Sequence, residues 1–143
     1  MLAKLAELMF VDVLRRVVSD APEGSRGWLS GLEDRHVGAA LRLIHARTAE
    51  NWTLETLARE VGLSRSIFAH RFHSYVGAPP IEYLSRWRVQ LAAGLLDHGA
   101  TIADTAAQVG YASEASFTRV FKRYAGSPPG AWRRARQGGR SRP

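Results

Sequence analysis

One short pattern of residues occurs twice in this chain, and it constrains the fold more than any other feature. "FAHRFHSYVGAPP" (Phe68–Pro80) returns as "FTRVFKRYAGSPP" (Phe117–Pro129), 49 residues later. Phe, Phe, Tyr, Gly, Pro and Pro keep their places, and most residues between them change. Just upstream, "TLETLAREVG" (Thr53–Gly62) aligns with "TIADTAAQVG" (Thr101–Gly110) at an offset of 48. The linking residues, "LS" in one copy and "YAS" in the other, account for the extra residue. Two copies that share mainly apolar, Gly and Pro positions, with the helix-capping Thr and Ser, share a buried frame and differ on the surface.

Each copy reads as two short helices around a tight turn. Thr53 and Thr101 are placed to cap the first helix, and Glu55 or Asp104 adds negative charge near its N-terminus. Val61-Gly62 and Val109-Gly110 end it, because glycine enters the left-handed conformation that stops a helix. Ala58 and Ala106, four residues before that glycine, leave room for a close helix crossing. Val61/Val109 and Phe68/Phe117 fill the angle between the helices. Phe72/Phe121 and Tyr75/Tyr124 carry the buried stripe down the second helix, Ser64–Tyr75 or Ser113–Tyr124. The Pro-Pro pair starts the following helix. Such a unit is a helix-turn-helix.

The rest of the chain also has helical periodicity. A helix is predicted over Leu2–Val18, with a wide apolar arc that calls for a partner, before a break at "SDAPEGSRG". Another is predicted over Asp34–Thr48, capped by Asp34, with Val37, Ala40, Leu41 and Ile44 as its stripe. "IEYLSRWRVQLAAGLLDHG" reads as a long connecting helix with Ile81, Leu84, Trp87, Leu91 and Leu95 inward. "PPGAWRRARQGGRSRP" starts as a short helix and passes into a basic tail. Trp87 and Trp132 lie on apolar stripes and read as core. No segment alternates with period two, so the fold class is all-α. The expected organisation is a linker helix and loop over 1–34, a double helix-turn-helix domain over 35–137 and a disordered basic tail over 138–143.

Charge separates these parts. Residues 1–34 hold four basic and six acidic side chains, while residues 35–143 hold sixteen and seven, a net −2 against +9. The basic part calls for an anionic partner. The absence of cysteine excludes disulfides, thiolate metal sites and cysteine nucleophiles, and fits a reducing cytoplasm. Lys4, Glu7, Asp12, Arg15 and Arg16 interrupt the apolar N-terminus too often for a signal core or a membrane span. His70 and His73 stand at i, i+3, but without a third ligand nearby they read as surface groups, and no metal or cofactor is expected. No nucleophile–base pair, carboxylate pair or phosphate loop marks an enzyme.

The changing positions carry the function. The outward side of the first copy's second helix offers Ser64, Arg65, Ser66, Ala69, His70 and His73. The second copy offers Ser113, Glu114, Ala115, Ser116, Thr118, Arg119 and Lys122. Hydroxyls, basic groups and a helix N-terminus suit phosphates and base edges of a major groove. Arg119 is suited to a base or a phosphate, Arg65 and Lys122 to phosphates, and Glu114 to cytosine N4. The connecting helix, at about 18 residues, is roughly 27 Å long. Successive major-groove faces lie about 34–36 Å apart. One chain could therefore present two unlike probes to an asymmetric duplex site. A nonspecific architectural DNA-binding module and a helical protein-interaction domain with an acidic partner remain alternatives.

The pattern A-x-x-V-G-[LY]…S-x-x-x-F-x-R-x-F followed by G-x-x-P resembles the DNA-binding domain of AraC/XylS-type transcription regulators. The resemblance runs from about Arg35 to Arg136, and "IADTAAQVGYASEASFTRVFKRYAGSPPGAWRR" carries it most strongly. It implies a bilobed seven-helix domain with two helix-turn-helix units on a long central helix, promoter binding, and activation through contact with RNA polymerase. By position it implies DNA contacts at Ser64, Arg65, Ser66, Ala69, His70, His73, Ser113, Glu114, Ala115, Thr118, Arg119 and Lys122. His70 stands where the family commonly has Arg, and Ala69 replaces a more polar residue, which makes first-unit readout dependent on pH if His70 titrates near neutrality. Members usually carry an N-terminal sensing or dimerising domain. Leu2–Val18 resembles the helix that ends it, so a sensor domain or a second chain is expected to pack there.

Overall fold

The computed structural model describes residues 34–140, so the helix expected over Leu2–Val18 lies outside the described residues. Seven helices and no strand occur among them: α1 (Arg35–Ala46), α2 (Leu54–Val61), α3 (Arg65–Val76), α4 (Pro80–Asp97), α5 (Ile102–Val109), α6 (Glu114–Ala125) and α7 (Pro129–Arg140). The described chain divides into two compact units, 34–46 with 52–81, and 47–51 with 82–140.

In the first unit α1, α2 and α3 pack on one another. Asp34 caps α1, its Oδ1 accepting from the His36 and Val37 amides at 2.9 and 3.3 Å. The expected stripe Val37, Ala40, Leu41 and Ile44 is buried, together with Leu57, Ala58 and Val61 of α2 and Phe68 and Phe72 of α3. Thr53 caps α2, and Thr56 completes a reciprocal box: Thr56 N donates to Thr53 Oγ1 (3.1 Å) and Thr53 N to Thr56 Oγ1 (2.8 Å). Two orphan amides of the helix start are thereby satisfied. At the other end of α2, the His36 Nδ1–H donates to the Val61 carbonyl at 2.7 Å. A carbonyl can only accept, so this bond fixes the tautomer of His36. Gly62 then turns the chain at φ +76°.

The second unit repeats the plan. Thr101 caps α5 by accepting from Asp104 N at 3.1 Å, and Gly110 ends it at φ +102°. Val89, Ala92, Leu96, Ala106, Val109, Phe117 and Phe121 form the core, with Trp132 half-buried against it. The aromatic rings run as a chain, Tyr111 to Phe117 (5.8 Å), Phe117 to Phe121 (5.6 Å) and Phe121 edge-on to Trp132 (5.6 Å). Pro80 and Pro129 open α4 and α7 as first helical residues.

Three details differ from the expectation. Tyr75 and Tyr124 are half-buried, because a phenol keeps its hydroxyl near water; the Arg86 guanidinium covers the Tyr124 ring at 5.4 Å. On α4 the buried edge is Leu84, Trp87, Arg88, Val89, Ala92 and Leu96, while Ile81 is 38% exposed and Leu91 and Leu95 are half-buried. Third, α7 continues to Arg140, so Gly138, Gly139 and Arg140 are helical rather than part of a disordered tail. Gly138 and Gly139 lengthen a helix that is already nucleated, each at a cost of about 1 kcal/mol relative to alanine.

Arg88 is the least expected member of the core. It is 9% exposed, and donates through Nε to Thr48 O (3.0 Å) and through a terminal nitrogen to Glu50 O (2.8 Å). Its guanidinium stacks over Tyr111 at 5.2 Å. Trp87 Nε1 donates to Thr48 Oγ1 at 3.2 Å. Together these bonds hold the 47–51 loop against α4 and against the turn at Gly110-Tyr111, which leads into α6.

Candidate nucleic-acid interface

The second helix of each unit is anchored by two phenylalanines, four residues apart. Phe68 and Phe72 in α3, and Phe117 and Phe121 in α6, have no exposure to solvent. At about 100° per residue, the position farthest around the helix from each pair is His70 in α3 and Arg119 in α6. Both are exposed. The buried frame therefore aims one side chain of each unit straight outward, a histidine in one and an arginine in the other.

Around His70 lie Ser64, Arg65, Ser66 and His73, all exposed, and Ala69, which is half-buried. Ser64 is the N-cap of α3, its Oγ accepting from Ile67 N at 3.3 Å. Arg65 meets Glu55 of α2 at 3.1 Å, an open ion pair with both side chains 65% exposed. Such a pair is worth about 1 kcal/mol or less, so it holds Arg65 without preventing a phosphate from taking its place. Arg71, about 100° around the helix from His70, meets Asp34 Oδ2 at 3.6 Å.

Around Arg119 lie Ser113, Glu114, Ala115 and Lys122, all exposed, and Thr118, which is half-buried. Ser113 is the N-cap of α6, accepting from Ser116 N at 3.1 Å, and its Oγ is 3.0 Å from Ser116 Oγ. Arg123 is exposed about 40° from Arg119 around the helix. It extends the basic face, and the same wheel that singles out Arg119 would have found it. Ile67 also lies near the centre of the α3 face and is 50% exposed. An isoleucine beside a phenylalanine carries no sequence signal of exposure, and only the packing places it in water.

By the same wheel Ser66 and His73 lie within about 60° of His70, and Ala115 and Lys122 within about 60° of Arg119, while Arg65 and Glu114, about 140° away, stand in the first turn on the phenylalanine side. The faces differ in chemistry: hydroxyls, imidazoles and an apolar side chain on α3, against hydroxyls, one carboxylate and three cations on α6. Asp97, a neighbour of His98, is held by Arg136 through two bonds of 3.0 and 2.9 Å. Among the described residues no group of three or more His, Asp or Glu could hold a metal ion, and no helix is long and apolar enough to cross a membrane.

Two helix-turn-helix units, each with an exposed second helix carrying hydroxyls and basic or imidazole groups, define a DNA-binding domain. Residues 57–135 match the profile of a helix-turn-helix domain family. An AraC-like transcription regulator of Streptomyces lividans is 47% identical over 131 residues, covering 91% of this chain and 43% of that protein. The regulator AlkR of Acinetobacter baylyi is 36% identical over 120 residues, covering 83% of this chain and 39% of that protein. The DNA-binding domain of AdpA, a global transcriptional factor solved in complex with a target DNA, superposes with a TM-score of 0.69 at 29% identity, covering 74% of this chain and 96% of that one. The C-terminal domain of AraT from Geobacillus stearothermophilus, a response regulator, gives 0.69 at 27%, covering 71% and 86%. The chain belongs to the AraC-type helix-turn-helix family, a family of transcription-regulator DNA-binding domains and not of enzymes. It spans less than half the length of the curated relatives named here.

Proposed function

We propose that this chain is the sequence-specific DNA-binding part of a transcription regulator, and that α3 and α6 enter adjacent major-groove segments of an asymmetric promoter site. The observation that carries this reading is the pair of unlike outward faces mounted on matching buried frames. Two equal faces would serve a symmetric or an arbitrary duplex; two unlike faces are useful where the halves of the target differ. The 18 residues of α4 give a connector of roughly 27 Å, the scale of one DNA turn.

Within this proposal Arg119 reads base edges at the centre of the second half-site, with Thr118, Ala115 and Glu114 around it, the last suited to a cytosine N4 amine. Lys122 and Ser113 hold phosphates there. In the first half-site Ser64 and Arg65 hold phosphates, while Ser66, Ala69, His70 and His73 face the groove. The domain spans 35–137. The segment before it joins a sensing or dimerising domain, or a second chain, through Leu2–Val18. The protein acts in the cytoplasm on nucleoid DNA, as an activator through RNA polymerase.

Selection from a random duplex pool followed by competition binding tests the reading. The expected result is a site of about 20 bp with unlike halves and an affinity that falls steeply with salt. Arg119→Ala is expected to relax preference at one half-site by about 1–3 kcal/mol and leave the other half unchanged. Equal affinity for every competitor duplex would reject the proposal in favour of a nonspecific architectural module. No binding to any duplex at low salt would favour a protein partner.

A further inference from the structure

We infer that Ile67 reads a thymine 5-methyl group in the first half-site. This rests on the DNA-binding reading above and adds a residue to it. Ile67 sits in the first turn of α3, about 60° around the helix from the outward residue His70, closer to the centre of the face than Ala69. It is 50% exposed, and the only other large apolar side chain so exposed among the described residues is Ile81. Leaving a β-branched side chain half in water on an exposed helix face forgoes the stabilisation that burial would supply. The matching residue in the second unit shows that the frame does not require an apolar group there. Ser116 occupies that place, half-buried, and its hydroxyl donates to Ser113 O at 3.0 Å.

What covers Ile67 follows from its neighbours. Ser64, His70 and Arg71 are its i−3, i+3 and i+4 neighbours on α3, and the helix has no acidic residue in its first turn. Hydroxyls and cations around one apolar side chain match a groove whose edges are phosphates and whose floor presents a single apolar group. That group is the thymine methyl, the one base-edge feature of the major groove that is read by apolar contact. Cytosine presents an amine at the neighbouring position and no methyl, so Ile67 would discriminate T from C, the step that the first unit's hydroxyls and imidazoles make poorly.

The test uses the full chain and the duplex recovered by selection from a random pool. Each thymine of the first half-site is replaced in turn by deoxyuridine, which removes only the methyl. For the unaltered chain, one replacement is expected to weaken binding about fourfold, the effect of returning one methyl-sized apolar group to water. In Ile67→Ser, which copies the second unit, that replacement is expected to have no effect, while Ile67→Val retains part of it. If the selected site is bound specifically but no thymine shows a deoxyuridine penalty that Ile67→Ser abolishes, the inference is overturned and the DNA-binding reading stands. If no sequence is preferred by the unaltered chain, both fall together.

Discussion

Alanine in place of each turn glycine should cost very different amounts, although Gly62 and Gly110 occupy the same place in the two units. At Gly62 φ is +76° and an added Cβ would meet nothing within 4 Å. The cost there is only that of holding an L-residue in the left-handed region, about 1–2 kcal/mol. At Gly110 φ is +102°, and the Cβ would lie 2.8 Å from both Cα and O of Ala49 and 2.9 Å from an Arg88 nitrogen. That φ is well beyond the left-handed helical value of about +57°. Two of the three clashing atoms are backbone, so no rotamer change relieves them, and relief requires moving a loop that Arg88 holds at two carbonyls. Overpacking of this kind adds about 1–3 kcal/mol. Gly110→Ala is therefore expected to lose about 2–5 kcal/mol and Gly62→Ala about 1–2 kcal/mol. The entropy that alanine removes from the unfolded chain is the same at both places and cancels in the comparison. Urea unfolding of the two variants beside the unaltered chain measures the difference directly. Equal losses, or a larger loss at Gly62, would refute the close approach of the 47–51 loop to the Gly110 turn.

Two further outcomes follow from buried polar groups. Burial lowers the pKa of His45 to about 4 from its ordinary 6.5. The unfolded chain therefore takes up a proton between about pH 6.5 and 4 that the folded chain refuses, so this contribution is intact above pH 6.5 and is lost as pH falls toward 4. About 2 kcal/mol should disappear between pH 7.5 and pH 5, read from urea midpoints, and His45→Gln should flatten that slope; an unchanged slope would refute the assignment. Arg88→Met should cost about 3 kcal/mol by stripping Thr48 O and Glu50 O of their donor, and Arg88→Lys should not restore it, since one ammonium lacks the planar fork that reaches both. Full recovery with lysine, measured by the same denaturation, would show that charge alone is needed.

The outward faces were readable because they are the complement of a periodic core. Phe68 and Phe72, repeated as Phe117 and Phe121, mark the inside of each helix, and His70 and Arg119 follow as the outside. The chemistry at the edges of those faces was less legible. Arg65 and Arg71 are equally basic in sequence, yet one lies at the rim beside Glu55 and the other is drawn to Asp34. Ile67 is apolar like its neighbour Phe68, and only packing shows that one is fully buried and the other half in water.

By itself the sequence determined the helices, their caps, the two turns and the repeat, because each depends on groups within about four residues: Thr53 on Thr56, Thr101 on Asp104, Ser64 on Ile67, Ser113 on Ser116. Only the tertiary structure decided the fate of His36, Asp34, Arg71 and Arg88, and the reach of the 47–51 loop. Their partners lie far along the chain, 25 residues for His36 and 38 to 40 for Arg88. Whether a cation or an imidazole is buried depends on whether a carbonyl or carboxylate is brought within about 3 Å of it, and no local pattern states that distance.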